Sequence, residues 1–160
     1  MEFSLYKDRA KSNLEGADLG GADLSYADLV GANLEGASLE GSNLYQADLN
    51  QANLLDVKLE GADLRRALYN SDTKWPEGFD VQNSGAIGPK ANLQEADLTG
   101  ANLCNADLRN AELIGATLEG ADLSEANLEG AIFTDATYNP DTKWPKGFNP
   151  QAAGAILKED

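Results

Sequence analysis

Residues 12–71 read SNLEG ADLGG ADLSY ADLVG ANLEG ASLEG SNLYQ ADLNQ ANLLD VKLEG ADLRR ALYNS. Residues 91–140 read ANLQE ADLTG ANLCN ADLRN AELIG ATLEG ADLSE ANLEG AIFTD ATYNP. These are 22 five-residue units, and the third residue is Leu in 19 of them, with Tyr69, Phe133 and Tyr138 in the others. The first residue is Ala in 19, with Ser12, Ser42 and Val57 as the exceptions. A period of five matches neither the 3.6 of a helix nor the 2.0 of a strand. A helix would spread the leucines around its circumference, and glycine at so many fifth positions would cost it about 1 kcal/mol each. A continuous strand would send successive leucines to alternate faces. What remains is a chain that turns every five residues and points one large and one small side chain inward each time.

This pattern, A(D/N)LXX, resembles the pentapeptide-repeat family. The resemblance implies an all-β fold, a right-handed quadrilateral β-helix with four units per coil, stacked at about 4.8 Å. For 22 units that means about five to six coils, interrupted by one loop and capped at both ends. The expected organisation is one domain: an N-terminal cap (1–11), a first block of coils (12–69), an inserted loop (70–90), a second block (91–138) and a C-terminal loop or cap (139–160). In the N-terminal cap, Phe3, Leu5 or Tyr6 is expected over the first leucines.

The segment that closes each block is itself repeated. Residues 69–79 read YNSDTKWPEGF and residues 138–148 read YNPDTKWPKGF, an offset of 69 that extends to the GAI following each. Such a YNxDTKWPxGF segment resembles family members common in cyanobacteria. Trp75, Pro76 and Phe79, with Trp144, Pro145 and Phe148, are the candidate cap residues, covering the leucine corridor while each proline blocks further strand pairing. The same aromatics can anchor a partner, so recognition is the alternative role. The internal copy is expected to bulge out while the coil resumes near residues 86–91.

Residues 20 apart should stack on one wall. Asn13, Asn33 and Asn53 then form an amide column, Asp28 lies on Asp48, Glu15 on Glu35 and Glu40 on Glu60. The Asp or Asn before each leucine sits near a turn, where its side chain can bond backbone amides. Tyr26 and Tyr45 share a wall with Arg65 and Arg66. Tyr and Arg on an acidic body make this wall the candidate partner surface.

Composition limits the function. The net charge of −15 disfavours direct binding to nucleic acid or anionic membrane. The chain has no histidine, one cysteine (Cys104, expected to face outward) and no apolar run of membrane-spanning length. The expectation is therefore a cytoplasmic protein without catalytic residues, metal or cofactor, acting on a protein partner. The family resemblance allows regulation of cyanobacterial cell differentiation or nitrogen response. It also raises DNA mimicry, since similar proteins that shield DNA gyrase are acidic rods. Those dimerise through a C-terminal helix, whereas this sequence ends NPQAAGAILKED, so a monomer is expected.

Overall fold

The computed structural model describes residues 12–159. The predicted N-terminal cap, with Phe3, Leu5 and Tyr6, lies outside the described residues. The chain divides into two compact units, Met1–Ile87 and Gly88–Asp160. No α-helix occurs among the described residues; the regular elements are a 3-10 turn at Val81–Asn83 and two short strands, β1 (Thr137–Tyr138) and β2 (Ile156–Leu157).

The unit Ala32–Gly36 shows why five residues with this pattern repeat. Every backbone N–H must find an acceptor when it is removed from water. The Ala32 N–H closes a turn on the Leu29 carbonyl at 3.0 Å. Those of Asn33 and Leu34 bond Ser12 and Asn53 in the preceding and following coils, both at 2.8 Å, and that of Gly36 bonds Leu55 at 2.9 Å. The remaining donor, Glu35 N–H, bonds the Oδ1 of Asn33 at 3.3 Å. The Asp or Asn at position two thus serves the one amide that no carbonyl reaches. Equivalent bonds join Asp18 to Gly20, Asp48 to Asn50, Asp97 to Thr99 and Asp122 to Ser124.

The fifth residue of every unit except the last of each block takes a left-handed conformation, for example Gly36 at φ +67°, whereas the fourth does not. With the carbonyl of residue three accepting from the next unit's first N–H, the corner is a type II turn, whose third position favours Gly. Glycine is therefore the unstrained choice at this position, and Tyr26, Gln46 and Glu125 are among the residues that hold a positive φ there instead.

Parallel bridges in the first unit join Asn13 to Asn33, Asn33 to Asn53, Asp28 to Asp48 and Asp48 to Leu68. In the second they join Asn92 to Glu112, Glu112 to Ile132, and Thr117 to Thr137. The constant offset of twenty identifies each unit as a β-helix-type stack with four five-residue units between paired positions. Leu34, Leu39, Leu44, Leu49 and Leu54 are fully buried in the first, as are Leu108, Leu113, Leu118 and Leu123 in the second. The alanines at position one, among them Ala37, Ala47, Ala111 and Ala116, are equally buried. Burying one leucine contributes roughly 1.5–3 kcal/mol, so each stack is held by its inner column.

The segment read as an inserted loop stays on the stack of the first unit. Lys74 bridges Asn53 and Ile87 bridges Leu68, so the offset becomes 21 and then 19. The coil gains one residue at its first corner and is two residues shorter over the rest of the turn. At that corner the Asn70 side chain accepts the Gln51 N–H at 3.1 Å, while the buried Thr73 hydroxyl donates to the Leu49 carbonyl at 2.9 Å. The second unit repeats the device. Asp122 bridges Lys143, β1 pairs in parallel with β2, Asn139 accepts the Gly120 N–H at 2.9 Å, and Thr142 donates to the Leu118 carbonyl at 2.9 Å.

Candidate functional site

The closing segments place their aromatic residues over the leucines. In the first unit Trp75, Phe79 and Val81 pack, half-buried, against the core that contains Leu54, Leu59 and Leu64. Trp75 meets Tyr69 edge-on at 5.6 Å and stacks on Phe79 at 5.4 Å. In the second unit Trp144 meets Tyr138 edge-on at 5.4 Å and stacks on Phe148 at 5.2 Å, with the edge of Phe133 added at 5.6 Å. A turn bonding Phe79 N–H to the Pro76 carbonyl, with Gly78 at φ +76°, folds the phenylalanine back over the tryptophan. Pro145, Gly147 and Phe148 do the same, which accounts for the WPxGF spacing. The six candidate cap residues therefore form two equivalent clusters, one per unit.

Tyr26, Tyr45, Arg65 and Arg66 come together in the first unit. The Tyr26 N–H bonds the Tyr45 carbonyl at 2.9 Å, and the next residue, Gln46, bonds the Arg65 carbonyl at 3.2 Å. Arg66 continues the ladder onto Gly85 at 2.9 Å. The two tyrosine rings meet edge-on at 5.9 Å, and Tyr26 is 61% exposed. Sequence reading left out the partner of Arg65. Its guanidinium grips Asp63 through Nε at 2.8 Å and through Nη2 at 2.6 Å. The Asp63 carboxyl is held below the usual carboxylate range, first by the Arg65 side-chain hydrogen bond, then by the Arg65 backbone N–H and last by the guanidinium charge. The Asp-x-Arg spacing carried this signal, because position two and position four of a unit lie side by side; Asp107 and Arg109 pair the same way at 2.7 Å.

The wall is not duplicated. At the offset of 69, Tyr26, Tyr45, Arg65 and Arg66 correspond to Glu95, Ile114, Thr134 and Asp135. The stack at that place is the same, since Gly85 lies against Arg65 as Gly154 lies against Thr134.

The acidic and amide columns follow the predicted register. Asn33 donates to Asn13 at 3.4 Å and Asn53 to Asn33 at 3.1 Å. Asp48, on Asp28, has its pKa raised, mainly by burial, with the neighbouring Asp28 charge adding to it. Asp122 is drawn down to about 2 by hydrogen bonds from Ser124 and from Lys143. Cys104 is exposed. Among the described residues no group of three His, Cys, Asp or Glu side chains is placed to hold a metal ion, and no helix is long and apolar enough to cross a membrane.

The sequence matches the Pentapeptide repeats family, in eight copies, over residues 10–41, 27–66, 90–124 and 111–137. The chain belongs to this family. Among solved structures, this pentapeptide-repeat protein is similar to HetL from the cyanobacterium Nostoc sp. strain PCC 7120, a protein involved in regulating heterocyst differentiation. The identity is 31% over 93% of this chain and 67% of that one, with a TM-score of 0.39. It is also similar to Rfr23 from the cyanobacterium Cyanothece 51142, at 29% identity over 84% of this chain and 88% of that one, with a TM-score of 0.38. A third likeness is to QnrB1, a plasmid-mediated fluoroquinolone resistance protein, at 25% identity over 85% and 77%, with a TM-score of 0.34. Among curated proteins no match was found.

Proposed function

We propose that this pentapeptide-repeat protein is a non-enzymatic scaffold that binds a protein partner through the wall of Tyr26, Tyr45, Arg65 and Arg66. The observation that carries the reading is the exposed Tyr26 packed on the half-buried Tyr45 beside two arginines, present in the first unit and replaced in the second. Aromatic and arginine side chains together are the composition of interface centres. The proposal includes a cytoplasmic monomer built as a right-handed quadrilateral helix of about five to six coils. It works without catalytic residue, metal or cofactor, touches neither nucleic acid nor membrane directly, and regulates differentiation or nitrogen response in a cyanobacterium.

The test is affinity capture from a nuclease-treated cyanobacterial extract at moderate salt, comparing wild type with Arg65→Glu/Arg66→Glu and with Tyr26→Ser. A defined partner retained by wild type and lost by both variants is the expected result. Equal capture by all three removes this wall as the interface.

The second reading is a DNA-mimicking factor that binds and protects gyrase. It is favoured by the net charge of −15 and by the stacked carboxylates of Glu15 on Glu35 and Asp28 on Asp48. Gyrase supercoiling with and without added protein discriminates it: protection of gyrase from a fluoroquinolone supports mimicry, and no effect at saturating protein refutes it.

A further inference from the structure

The cap of the first unit leaves a pocket of about 350 Å³ between the closing segment and the coil beneath it. Val57, Leu59, Pro76 and Phe79 form its apolar lining, and Glu60 and Glu77 supply two carboxylates. Both glutamates are exposed, and neither side chain has a hydrogen-bond or ion-pair partner among the described residues. Lys58, two residues before Glu60, forms no ion pair with either.

The duplicated segment gives an internal comparison. At the offset of 69 the second unit repeats Leu128, Glu129, Pro145 and Phe148 but has Ala126 in place of Val57 and Lys146 in place of Glu77. The fold of the cap is the same in both units, as the Trp75–Phe79 and Trp144–Phe148 stacks at 5.4 and 5.2 Å demonstrate. The cap therefore does not require a carboxylate at position 77. A lysine is accommodated at the equivalent place, and the first unit instead pairs two acids beside an apolar lining.

We propose that this pocket binds an arginine side chain from an exposed segment of a partner protein. The long aliphatic stem of arginine covers apolar surface while its guanidinium stays at a charged, solvated rim. Its planar fork suits carboxylates, and its flat face suits an aromatic ring such as Phe79. A purely apolar ligand would leave both carboxylates unused, and an acidic one would be repelled by them. The pocket is separate from the tyrosine–arginine wall, so either can fail while the other stands.

The experiment is an NMR titration of the full chain with the peptide acetyl-Ala-Ala-Arg-Ala-Ala-amide and with its counterpart carrying norleucine for arginine. Saturable shifts at the Gly78 and Phe79 amides are expected with the arginine peptide, with Gly147 and Phe148 remaining unaffected. Glu77→Lys, which copies the second unit, should weaken this response about tenfold, in line with reversal of one charge in an otherwise intact site. Three results would overturn the proposal: equal shifts from the norleucine peptide, an unchanged response in Glu77→Lys, or shifts spread evenly over the acidic columns and both caps.

Discussion

The fifth position of each unit offers a two-directional test of the fold. Gly36 has φ +67° and no heavy atom within 4 Å of where a Cβ would stand, so Gly36→Ala introduces conformational strain without a clash. Glu125 is exposed, has φ +59° and forms no side-chain hydrogen bond or ion pair among the described residues, so Glu125→Gly removes strain without removing a polar interaction. Holding an L-residue left-handed costs about 1–2 kcal/mol. The opposing effect, the lower entropy of an unfolded chain with Ala in place of Gly, is about 0.4–1 kcal/mol. The net is about 0.5–1 kcal/mol, destabilising for Gly36→Ala and stabilising for Glu125→Gly. For a chain of this size that corresponds to Tm shifts of about 1–4 °C in opposite directions. Thermal melts followed by fluorescence suit the molecule, because Trp75 lies in the first unit and Trp144 in the second. If Gly36→Ala were neutral, or Glu125→Gly lowered Tm, the type II corner would be the wrong account of the repeat.

Asp48→Asn should raise stability at neutral pH. Its folded-state pKa lies above that of the unfolded chain through burial and the Asp28 charge, so ionisation costs the fold there, and the gain over wild type should vanish as both states become protonated below about pH 4. Asp122→Asn should do the opposite. Its folded-state pKa of about 2 makes the charged form stabilising above the unfolded value of 3.8, and this advantage is lost as pH falls through about 2; melts at pH 7 and at acid pH measure both effects. Thr142→Val keeps the shape of the side chain but removes the donor to the Leu118 carbonyl and the acceptor for the Asn139 N–H. A loss of about 1–3 kcal/mol in urea denaturation is expected, and an unchanged midpoint would show the corner to be held by other means.

Much of the fold could be read from the chain because each position of the repeat has one physical task. Inward leucines and alanines, the offset of twenty and the amide column of Asn13, Asn33 and Asn53 all follow from the period and the side-chain types. The closing coil was less legible. Residues 70–87 lose the five-residue period, so they read as a bulge; yet the Asn70 side chain accepts the Gln51 N–H that a carbonyl takes in a regular corner, and the Thr73 hydroxyl adds a bond to the Leu49 carbonyl. At the candidate wall, the register brought Tyr26, Tyr45, Arg65 and Arg66 together, but a count of net charge could not reveal that Arg65 is already gripped by Asp63. That ion pair is exposed and so contributes little to stability. Its effect is to orient the guanidinium along the wall.

The duplication also separates what the fold needs from what it carries. Positions one and three are buried, position two bonds a backbone amide, and position five bears the left-handed turn. Only position four and the outer parts of the closing segments are free of such duties, apart from the places where a side chain at position five is tolerated at some cost. The two units agree where the fold constrains them: Asn70 and Asn139, Thr73 and Thr142, Trp75 and Trp144, Phe79 and Phe148. They differ at position four on every wall, for example Ser25 and Gln94, Val30 and Thr99, Glu35 and Cys104, and Glu40 and Arg109. Among the differences, those at Tyr26 and Glu95, Tyr45 and Ile114, Arg65 and Thr134, and Arg66 and Asp135 replace the candidate wall, and that at Glu77 and Lys146 changes the charge of a pocket beside the cap. Exchanging these residues between the units, with stability as the control, would separate partner recognition from folding, because none of them is required by the turn or the core.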